Sequence, residues 1–376
     1  MITIKQKPSV ISFAGNPVLI KVSSGLSGKT FLKICAKVNI KIYQRGTPLS
    51  NYDRSLSIPT NGDGEEVVFD VSDMLLSALS QINTERNGIL SGNSPSYTSG
   101  YATYTVKLWD EYLNEYSEIT STESTASEST GVCKAIPGAY TDMQRLTRTE
   151  DTESFLGKQE RLSNKPDFEV VPIGGKVVIP VFSTQGVSPD VYLDAESKDN
   201  LLGAQTLYAN EVSWKAFGLN ASVGVHSLIW GDGASVAPYF FYAVNPQPFT
   251  HYFEFVNRLG AVESVYTFGR ATHKRKLTQE RQVKKHGISF RPTARYVKRT
   301  LQEEETLSLT TGPVSREWAK WFVSEFFTAE KVWMYSEEAN DVIPVIIECD
   351  EDLDVFNESE AEVLDLPFTV VKCING

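Results

Sequence analysis

Residues 25–30 (GLSGKT) are the stretch of this sequence that comes nearest to a ligand-binding motif. They end like a phosphate-binding loop, a motif that also needs glycine at position 23 and a helix directly after it. Position 23 is Ser23, and the residues that follow alternate between apolar and polar as in a strand. We therefore expect a flexible hairpin turn here and no nucleotide site.

Three aspartates and four histidines are residue types that bind metals, but neither group has the other features of a metal site. Asp350, Asp352 and Asp354 begin like a calcium loop, but the glycine and glutamate that this loop needs are replaced by Val355 and Ala361. Four histidines show neither zinc-ligand spacing nor an obvious acid partner: His226, His251, His273 and His286. We expect solvated acidic surface, structural or exposed histidines, and no metal or cofactor.

Catalytic motifs are also missing from the sequence. It has no GxSxG elbow and no recognisable set of nucleophile, base and oxyanion donor. Two carboxylates could still meet in space as in a glycosidase, because spacing along strands says little about sites. We predict that the chain is not an enzyme.

Basic residues are concentrated between positions 270 and 299, where eleven stand against one acid, Glu280. This basic strip carries +10, and since the whole chain carries −11, the other residues together carry −21. The predicted interaction residues are Arg270, Lys274, Arg275, Lys276, Arg281, Lys284, Lys285, Arg291, Arg295, Lys298 and Arg299. Such asymmetry indicates an acidic partner surface, nucleic acid or complementary subunits.

Three interpretations of the basic strip stay open. Its residues could simply be solvated, or they could contact an acidic neighbouring module or subunit. They could also bind nucleic acid, but the strip contains only Phe290 and Tyr296 as aromatics, so base stacking is poorly supported. We favour the contact between modules or subunits.

The elements that must position these residues are mostly strands. Residues 30–43 alternate between apolar and polar over a long stretch, and residues 103–108 repeat the pattern. A short helix is predicted behind Asp70 and Ser72, either of which can cap it, from apolar residues at helical spacing. Residues 117–130 (SEITSTESTASEST) are almost without apolar residues, so we expect a loop or an extended arm held by its neighbours.

The rest of the chain shows short apolar runs separated by turn residues. Predicted strands include residues 177–182, 222–230, 239–244, 251–257, 263–270, 306–310, 342–349 and 368–372. Pro313 suits a first helical position, and one face of the helix after it is aromatic. That face consists of Trp318, Trp321, Phe322 and Phe326, which we expect to be buried.

These patterns predict a mostly β fold with two to three β-sandwich-like modules and a few short helices. We assign residues 1–140 to an N-terminal module, 141–167 to a linker and 168–248 to a second module that ends near Pro246 and Pro248. Residues 249–376 form a C-terminal α+β module that carries the basic strip.

The first residues, the apolar runs and the cysteines indicate in which compartment the protein is made. The first residues lack the features of a secretory signal, and no apolar run approaches the roughly 20 residues that span a bilayer. Four widely spaced cysteines indicate free thiols in a reducing compartment: Cys35, Cys133, Cys349 and Cys373. We expect synthesis in a cytoplasm and no membrane insertion.

Several short motifs occur together in a recognisable order. They are residues 11–17 (ISFAGNP), 69–72 (FDVS), 253–260 (FEFVNRLG) with Glu263, the aromatic helix, 332–335 (VWMY) and 343–347 (IPVII). In this order the sequence resembles tail-associated structural proteins of phages and prophages from Bacteroides-type bacteria. The resemblance implies a virion component and supplies no catalytic residue.

We therefore expect a structural protein of a phage virion, from its tail, baseplate or neck, assembled in the host cytoplasm. Its partners would be copies of itself and other virion proteins. The alternative is a carbohydrate-binding or adhesin-type β-sandwich protein, which would use exposed aromatics such as Trp214, Trp230 or Tyr239.

Overall fold

The computed structural model describes residues 2–44, 47–80, 82, 100–140, 161–182, 191–194, 196–197, 212–218, 222–230, 238–283, 296–349 and 363–373. The described chain is mostly β, arranged in several sheets with two short α-helices, which confirms the predicted fold class. None of the helices in these ranges is long and apolar enough to cross a membrane.

Two sheets and one helix enclose the first core. The elements are β1 (Ile2–Gln6), β2 (Ile11–Phe13), β3 (Leu19–Ser24), β4 (Thr30–Gln44), β5 (Thr47–Pro59), β6 (Glu66–Asp70), α1 (Ser72–Leu79), β7 (Tyr101–Leu113), β8 (Ile119–Ser121), β9 (Glu128–Ser129) and β10 (Cys133–Ile136). One sheet has the order β1-β3-β6, and the other has β2-β10-β7-β4-β5, with β8 and β9 on β7. Residues 25–29 therefore connect the two sheets, and the predicted hairpin turn is wrong because β3 and β4 do not pair.

Apolar and charged residues alternate along β4, so the apolar side chains point into the core and the charged ones point outward, as predicted. Ile34, Ala36 and Val38 are fully buried in the core beneath α1. Lys37 lies on the opposite face, 3.0 Å from Asp53. At the helix start, Asp70 Oδ1 accepts hydrogen bonds from the backbone of two residues, which satisfies an exposed first-turn amide as predicted.

Residues 117–130, the Ser/Thr-rich tract, are held in place by β7 of the same chain. Its strands β8 and β9 pair with β7. The Thr122 hydroxyl accepts from the Asp110 amide at 2.9 Å, and the Thr130 hydroxyl accepts from the Val106 amide at 3.1 Å. Short hydroxyl side chains thus satisfy backbone groups of β7 where the tract itself has little to bury.

A five-stranded and a two-stranded sheet follow. The strands are β11 (Glu169–Pro172), β12 (Lys176–Phe182), β13 (Val191–Leu193), β14 (Glu196–Ser197), β15 (Val212–Gly218), β16 (Gly224–Trp230) and β17 (Tyr239–Val244). The orders are β11-β17-β16-β13-β14 and β12-β15. Inward residues of β11, β12 and β17 share a core with Tyr252 and Tyr266 of the next segment.

The last segment forms a seven-stranded sheet with a helix packed against it. The elements are β18 (Thr250–Val256), β19 (Val262–Phe268), β20 (Thr272–Val283), β21 (Tyr296–Thr310), β22 (Val314–Ser315), α2 (Arg316–Trp321), a π-helical turn (Phe322–Phe326), β23 (Val332–Ser336), β24 (Asp341–Glu348), β25 (Val363–Leu364) and β26 (Pro367–Cys373). The sheet order is β19-β18-β23-β24-β26-β21-β20, and β22 pairs with β25.

The aromatic helix face is buried, as predicted. Trp318, Trp321, Phe322 and Phe326 are at most 7% exposed and pack on Phe253, Phe255 and Phe368 of the sheet. The predicted position of Pro313 is wrong, because residues 314–315 pair with β25 before the helix begins. Ser315 is the N-cap, and its hydroxyl accepts from the Trp318 amide at 3.3 Å.

One apolar cluster joins segments that the sequence assigns to separate modules. It contains Ile11, Phe13, Ile136, Leu162, Val178, Leu259, Ala261 and Val262. At the same place Gly138 lies so close to the Leu259 backbone that an added Cβ would stand 2.3 Å from it, and the Ala139 amide donates to the Arg258 carbonyl at 2.9 Å. The module boundaries stay predictions, but this one cluster contains residues from every predicted module and from the linker.

Candidate functional site

The basic strip lies on a long hairpin at the edge of the seven-stranded sheet. β20 is the edge strand and pairs with β21 from Thr272 opposite Ser308 to Val283 opposite Tyr296. β26 pairs with the other edge of β21, but only over Glu304–Thr310. Among the described residues, positions 296–303 of β21 therefore pair with β20 alone. We call residues 278–283 and 296–302 the distal ribbon; it is about 23 Å long at the usual rise of a strand.

The charges near the sheet are matched within the hairpin. Arg275 is opposite Glu305 and Lys276 is opposite Glu304, with Lys274 and Glu303 directly beside them in the register. Three basic residues thus lie alongside three glutamates, which follow the basic strip in the sequence and are not counted within it. The exposed Lys274, Arg275 and Lys276 are consequently weaker candidates for an external contact than the sequence suggests.

In the distal ribbon the backbone register places two basic residues opposite each other. Arg281 is opposite Lys298, and Glu280 is opposite Arg299, so three basic residues stand against one acid. Like charges directly opposite each other destabilise a strand pair, and a two-stranded ribbon is marginally stable in water. An acidic partner would offset the repulsion between the like charges and would stabilise the two-stranded ribbon.

The remaining predicted interaction residues divide into two groups. Arg270 is exposed beyond the start of the hairpin, with its guanidinium carbon 5.3 Å from the centre of the Phe249 ring. Lys284, Lys285, Arg291 and Arg295 lie outside the described residues, as do Asp350, Asp352 and Asp354.

An open cleft of about 700 Å³ lies at the base of the hairpin, between β20 and the β23–β24 turn. Glu305 is its central acid, 3.3 Å from Lys372 Nζ and 3.5 Å from His273 Nδ1. Burial acts to raise the pKa of Glu305, but Lys372 and His273 outweigh it and hold that pKa below its ordinary value. The cleft therefore contains charges of both signs that already pair with one another.

Two histidines have acid neighbours, contrary to the sequence prediction. His273 faces Glu305, and His226 Nδ1 lies 2.7 Å from Asp194 Oδ2. His226 Nε2 lies 2.6 Å from the Ser222 carbonyl oxygen, so its ring joins β16 to the β13–β14 turn. Among the described residues no three His, Cys, Asp or Glu side chains come together as a metal site would require.

A second concentration of charge is buried where residues 161–169 cross β12, β17, β19 and the π-helical turn; we call it the junction. Lys165, 6% exposed, places its Nζ 2.6 Å from Glu169 Oε1 and donates to the Ser264 carbonyl. Glu169 Oε2 accepts from the Tyr239 hydroxyl at 2.7 Å. The Arg161 guanidinium stacks over the Tyr239 ring at 4.5 Å.

Amide side chains continue the junction toward the aromatic helix. Asn257 Nδ2 donates to the Leu162 carbonyl at 2.7 Å and to Glu263 Oε2 at 2.9 Å. Asn164 Nδ2 donates to Glu325 Oε1 at 2.9 Å, while Glu325 Oε2 accepts from the Arg258 amide at 2.8 Å. Three of these four bonds join segments at least 67 positions apart, so the network fixes how those segments are arranged.

Two side chains of β19 also hold β12. The Ser264 hydroxyl accepts from the Val178 amide at 2.9 Å, and the Tyr266 hydroxyl accepts from the Lys176 amide at 2.7 Å. Tyr266 in turn donates to the Lys176 carbonyl at 3.0 Å. These bonds satisfy backbone groups of β12 and attach the two-stranded sheet to the seven-stranded sheet.

Glu263 is the junction's most perturbed acid. It is 1% exposed, and burial raises its pKa to about 7 against the opposing effects of Lys165 and Asn257. A cavity of about 10 Å³ beside it, lined by Arg161, Lys165 and Tyr239 among others, holds at most about one water. The space is too small for a substrate, so these charges are suited to holding segments together.

Lys165, Glu169 and Glu325 were not predicted as site residues from the sequence. Glu254 and Glu263 carried a usable signal, since each is an acid beside apolar residues of a strand, and both are buried. Tyr239, offered as an exposed aromatic, is 2% exposed, and that prediction is wrong because its ring packs under Arg161 and its hydroxyl binds Glu169.

No protein family and no curated protein matches the sequence. Similar solved structures include CBD12 from CALX1.2, at 10% identity and a TM-score of 0.18, covering 61% of this chain and 79% of that one. An I-band fragment of titin is 9% identical at a TM-score of 0.15, with 82% and 93% covered. Surface layer protein SbsC, domains 1–6, is 10% identical at 0.18, with 95% and 40% covered. TM-scores this low carry no argument about function.

Proposed function

We propose that this chain is a structural component of a phage virion, from its tail, baseplate or neck, and that the distal ribbon is its contact with a neighbouring subunit. The observation that carries the proposal is the opposition of Arg281 and Lys298 on a ribbon that extends past the last strand covering it. The resemblance of the ordered motifs supplies the virion assignment.

A second copy of the chain is the partner that fits these charges best. The residues outside the basic strip carry −21 in total, so one copy can offer the acidic surface that another copy's ribbon needs. Single exposed pairs contribute only about 0 to 1 kcal/mol each, but a closed ring repeats the contact at every subunit.

The junction supports this role from inside the subunit. A subunit in a ring or tube must hold its contact surfaces at fixed relative positions, and buried hydrogen-bonded charges tie together segments that the sequence assigns to different modules. The strands of the distal ribbon, β20 and β21, belong to the same seven-stranded sheet as β19, which contributes residues to the junction.

The carbohydrate-binding alternative receives no comparable support. Its proposed aromatic Tyr239 is buried and hydrogen-bonded. Trp214 and Trp230 lie in β15 and β16.

The test separates the two halves of the hairpin. A phage lacking the gene is complemented with the triple variant Arg281→Gln, Lys298→Gln, Arg299→Gln, or with the matched triple Lys274→Gln, Arg275→Gln, Lys276→Gln. Both remove three positive charges, but only the first set contains two basic residues that are opposite each other in the register. We expect the distal variant to fold yet incorporate poorly into particles, and the other variant to incorporate nearly normally.

Normal incorporation of the distal variant would contradict the proposal. Binding of the purified protein to DNA, with an affinity that falls steeply with salt and is lost in the distal variant, would assign the ribbon to nucleic acid instead.

A further inference from the structure

Lys165 and Glu169 of the junction place an amine beside a carboxyl group in the interior of the protein. Lys165 Nζ lies 2.6 Å from Glu169 Oε1, and the two side chains are 6% and 2% exposed. A carbon–oxygen bond of about 1.2 Å puts the carboxyl carbon within about 3.8 Å of this nitrogen. Reacting atoms that are roughly 3 to 3.5 Å apart are ready for attack, so the amine is close to bonding distance of the carboxyl carbon.

The neighbours of this pair already make the hydrogen bonds of an amide group. Lys165 Nζ donates to the Ser264 carbonyl, and Glu169 Oε2 accepts from the Tyr239 hydroxyl at 2.7 Å. Glu169 Oε1 is buried and makes no hydrogen bond of ordinary geometry with a described residue, despite the nearby Nζ. An amide has one N–H donor and one carbonyl acceptor. The two bonds present are those that it needs, and Oε1 is the atom that it lacks.

Burial also favours an amide over two charges here. Hydration stabilises a free ammonium group and a free carboxylate and so opposes their condensation, but this hydration is lost when both are buried. A neutral amide with both of its hydrogen bonds made has no comparable desolvation cost. The Trp321 ring, with its centre 5.2 Å from Lys165 Nζ, adds an apolar surface to these surroundings.

Glu263 is placed to move the proton that such a reaction transfers. It is 1% exposed, and it lines the same cavity of about 10 Å³ as Lys165. Its Oε2 accepts from Asn257 Nδ2 at 2.9 Å, while its Oε1 is buried without a hydrogen bond of ordinary geometry to a described residue. Because burial raises its pKa to about 7, the carboxyl group can both take up and release a proton near neutral pH.

We propose that Lys165 and Glu169 condense spontaneously into an isopeptide bond. Glu263 takes a proton from the ammonium group, the Nζ–Cδ bond forms, and the Cδ–Oε1 bond breaks as that proton passes to Oε1. Two of the three ammonium protons leave with Oε1 as water, and the third stays on the amide nitrogen. The opposite charges cancel, so no oxidant, reductant or cofactor is needed. Oε2 remains as the amide oxygen on Tyr239.

The bond would lock the segment that carries the junction, since Glu169 is the first residue of β11. It would form in the free subunit, whether or not the distal ribbon contacts a partner.

Mass spectrometry of the purified, denatured chain tests the bond. The wild type should weigh about 18 Da less than its sequence, which is the mass of one water. Both residues lie in one tryptic peptide, residues 162–176 (LSNKPDFEVVPIGGK), since trypsin does not cleave before Pro166. This peptide should carry the whole loss and give no fragment ions from breaks between positions 165 and 169. Peptides with Lys33 and Glu111, a more exposed pair 2.9 Å apart, should keep their full masses.

Two variants identify the reacting groups. Lys165→Arg keeps a cation but has no amine to condense, so its peptide should have the full mass. Glu263→Gln keeps the size of the side chain but cannot carry the proton, so most of its 162–176 peptide should stay unmodified. Circular dichroism checks that each variant is folded.

A wild type of full mass overturns the proposal, and that measurement needs no variant. Fragment ions from breaks between positions 165 and 169 in a lighter peptide also overturn it, since they would indicate dehydration at Asp167 instead. A loss of about 17 Da, one ammonia, with Lys165 joined to Asn257 would contradict the pairing with Glu169. A bond that forms fully in Glu263→Gln would refute the role given to Glu263.

Discussion

The junction and the distal ribbon both concentrate charge, but their charges have opposite surroundings. In the junction, Lys165 and Glu169 are nearly inaccessible and each makes further polar contacts inside the chain. In the ribbon, Arg281 and Lys298 are opposite each other in the backbone register. A buried charge must be satisfied by its own fold, whereas an unmatched charge at an edge can be satisfied by a partner. The same residue types therefore join distant segments of the chain in the junction and, in our proposal, contact a neighbouring subunit in the distal ribbon.

Breaking the junction should have the largest effect on stability. Lys165→Met leaves the Glu169 carboxylate buried without its cation, and such a loss costs about 3 to 5 kcal/mol. The double variant Lys165→Met, Glu169→Gln should recover much of that loss, because the amide oxygen still accepts from Tyr239. Urea denaturation measures the free energy of unfolding.

The matched control is the exposed pair of Lys37 and Asp53, 3.0 Å apart with side chains 42% and 50% exposed. Lys37→Met should leave the free energy of unfolding nearly unchanged, because solvent screens this exposed pair. A Lys165→Met protein as stable as Lys37→Met would show that the junction does not hold the segments together.

The pH dependence of the free energy of unfolding should show the titration of the buried Glu263 carboxyl. Its pKa is about 7 in the folded chain and about 4.3 when unfolded. Between these values the unfolded state has already lost the proton that the folded state keeps, so stability should fall as pH rises from about 4 to about 7 and then level off. The expected loss is on the order of 3 kcal/mol, and Glu263→Gln should flatten the profile, as read from thermal unfolding at each pH. An unchanged slope in Glu263→Gln would assign the dependence to another group.

A smaller effect of opposite sign is expected in the ribbon. Lys298→Glu replaces the like-charge pair with Arg281 by an attractive one and should stabilise the hairpin of the free subunit by about 0.2 to 1 kcal/mol. Hydrogen exchange at the β20 and β21 amides measures this as slower exchange. The same change should impair incorporation into particles, so a variant that is slower in exchange and normal in assembly would break the contrast between the two regions.

The sequence predicts the strands well where one face of a sheet is buried, since alternation directly reports that face. β4 and β7 follow this rule, and the aromatic face of the helix is likewise buried. The start of that helix is not predictable from Pro313, because pairing of residues 314–315 with β25, about 50 positions away, decides where it begins.

The sites are harder to predict because their partners are distant in the chain. The match of Arg275 and Lys276 with Glu305 and Glu304 depends on the hairpin register, which a local charge count does not contain. Glu325 meets Asn164 across 161 positions, and nothing near either residue indicates the other. The basic strip is visible in the sequence, but which of its charges are matched is visible only in the fold.

Cross-linking from the ribbon within assembled particles tests the central claim most directly. A photo-reactive amino acid at Thr300, in the distal ribbon, should cross-link to an acidic segment of a second copy, identified by mass spectrometry. The same probe at Thr306, where β21 lies between β20 and β26, should give cross-links within one chain. Only intrachain products from Thr300 in intact particles would contradict the assignment of the ribbon as a subunit contact.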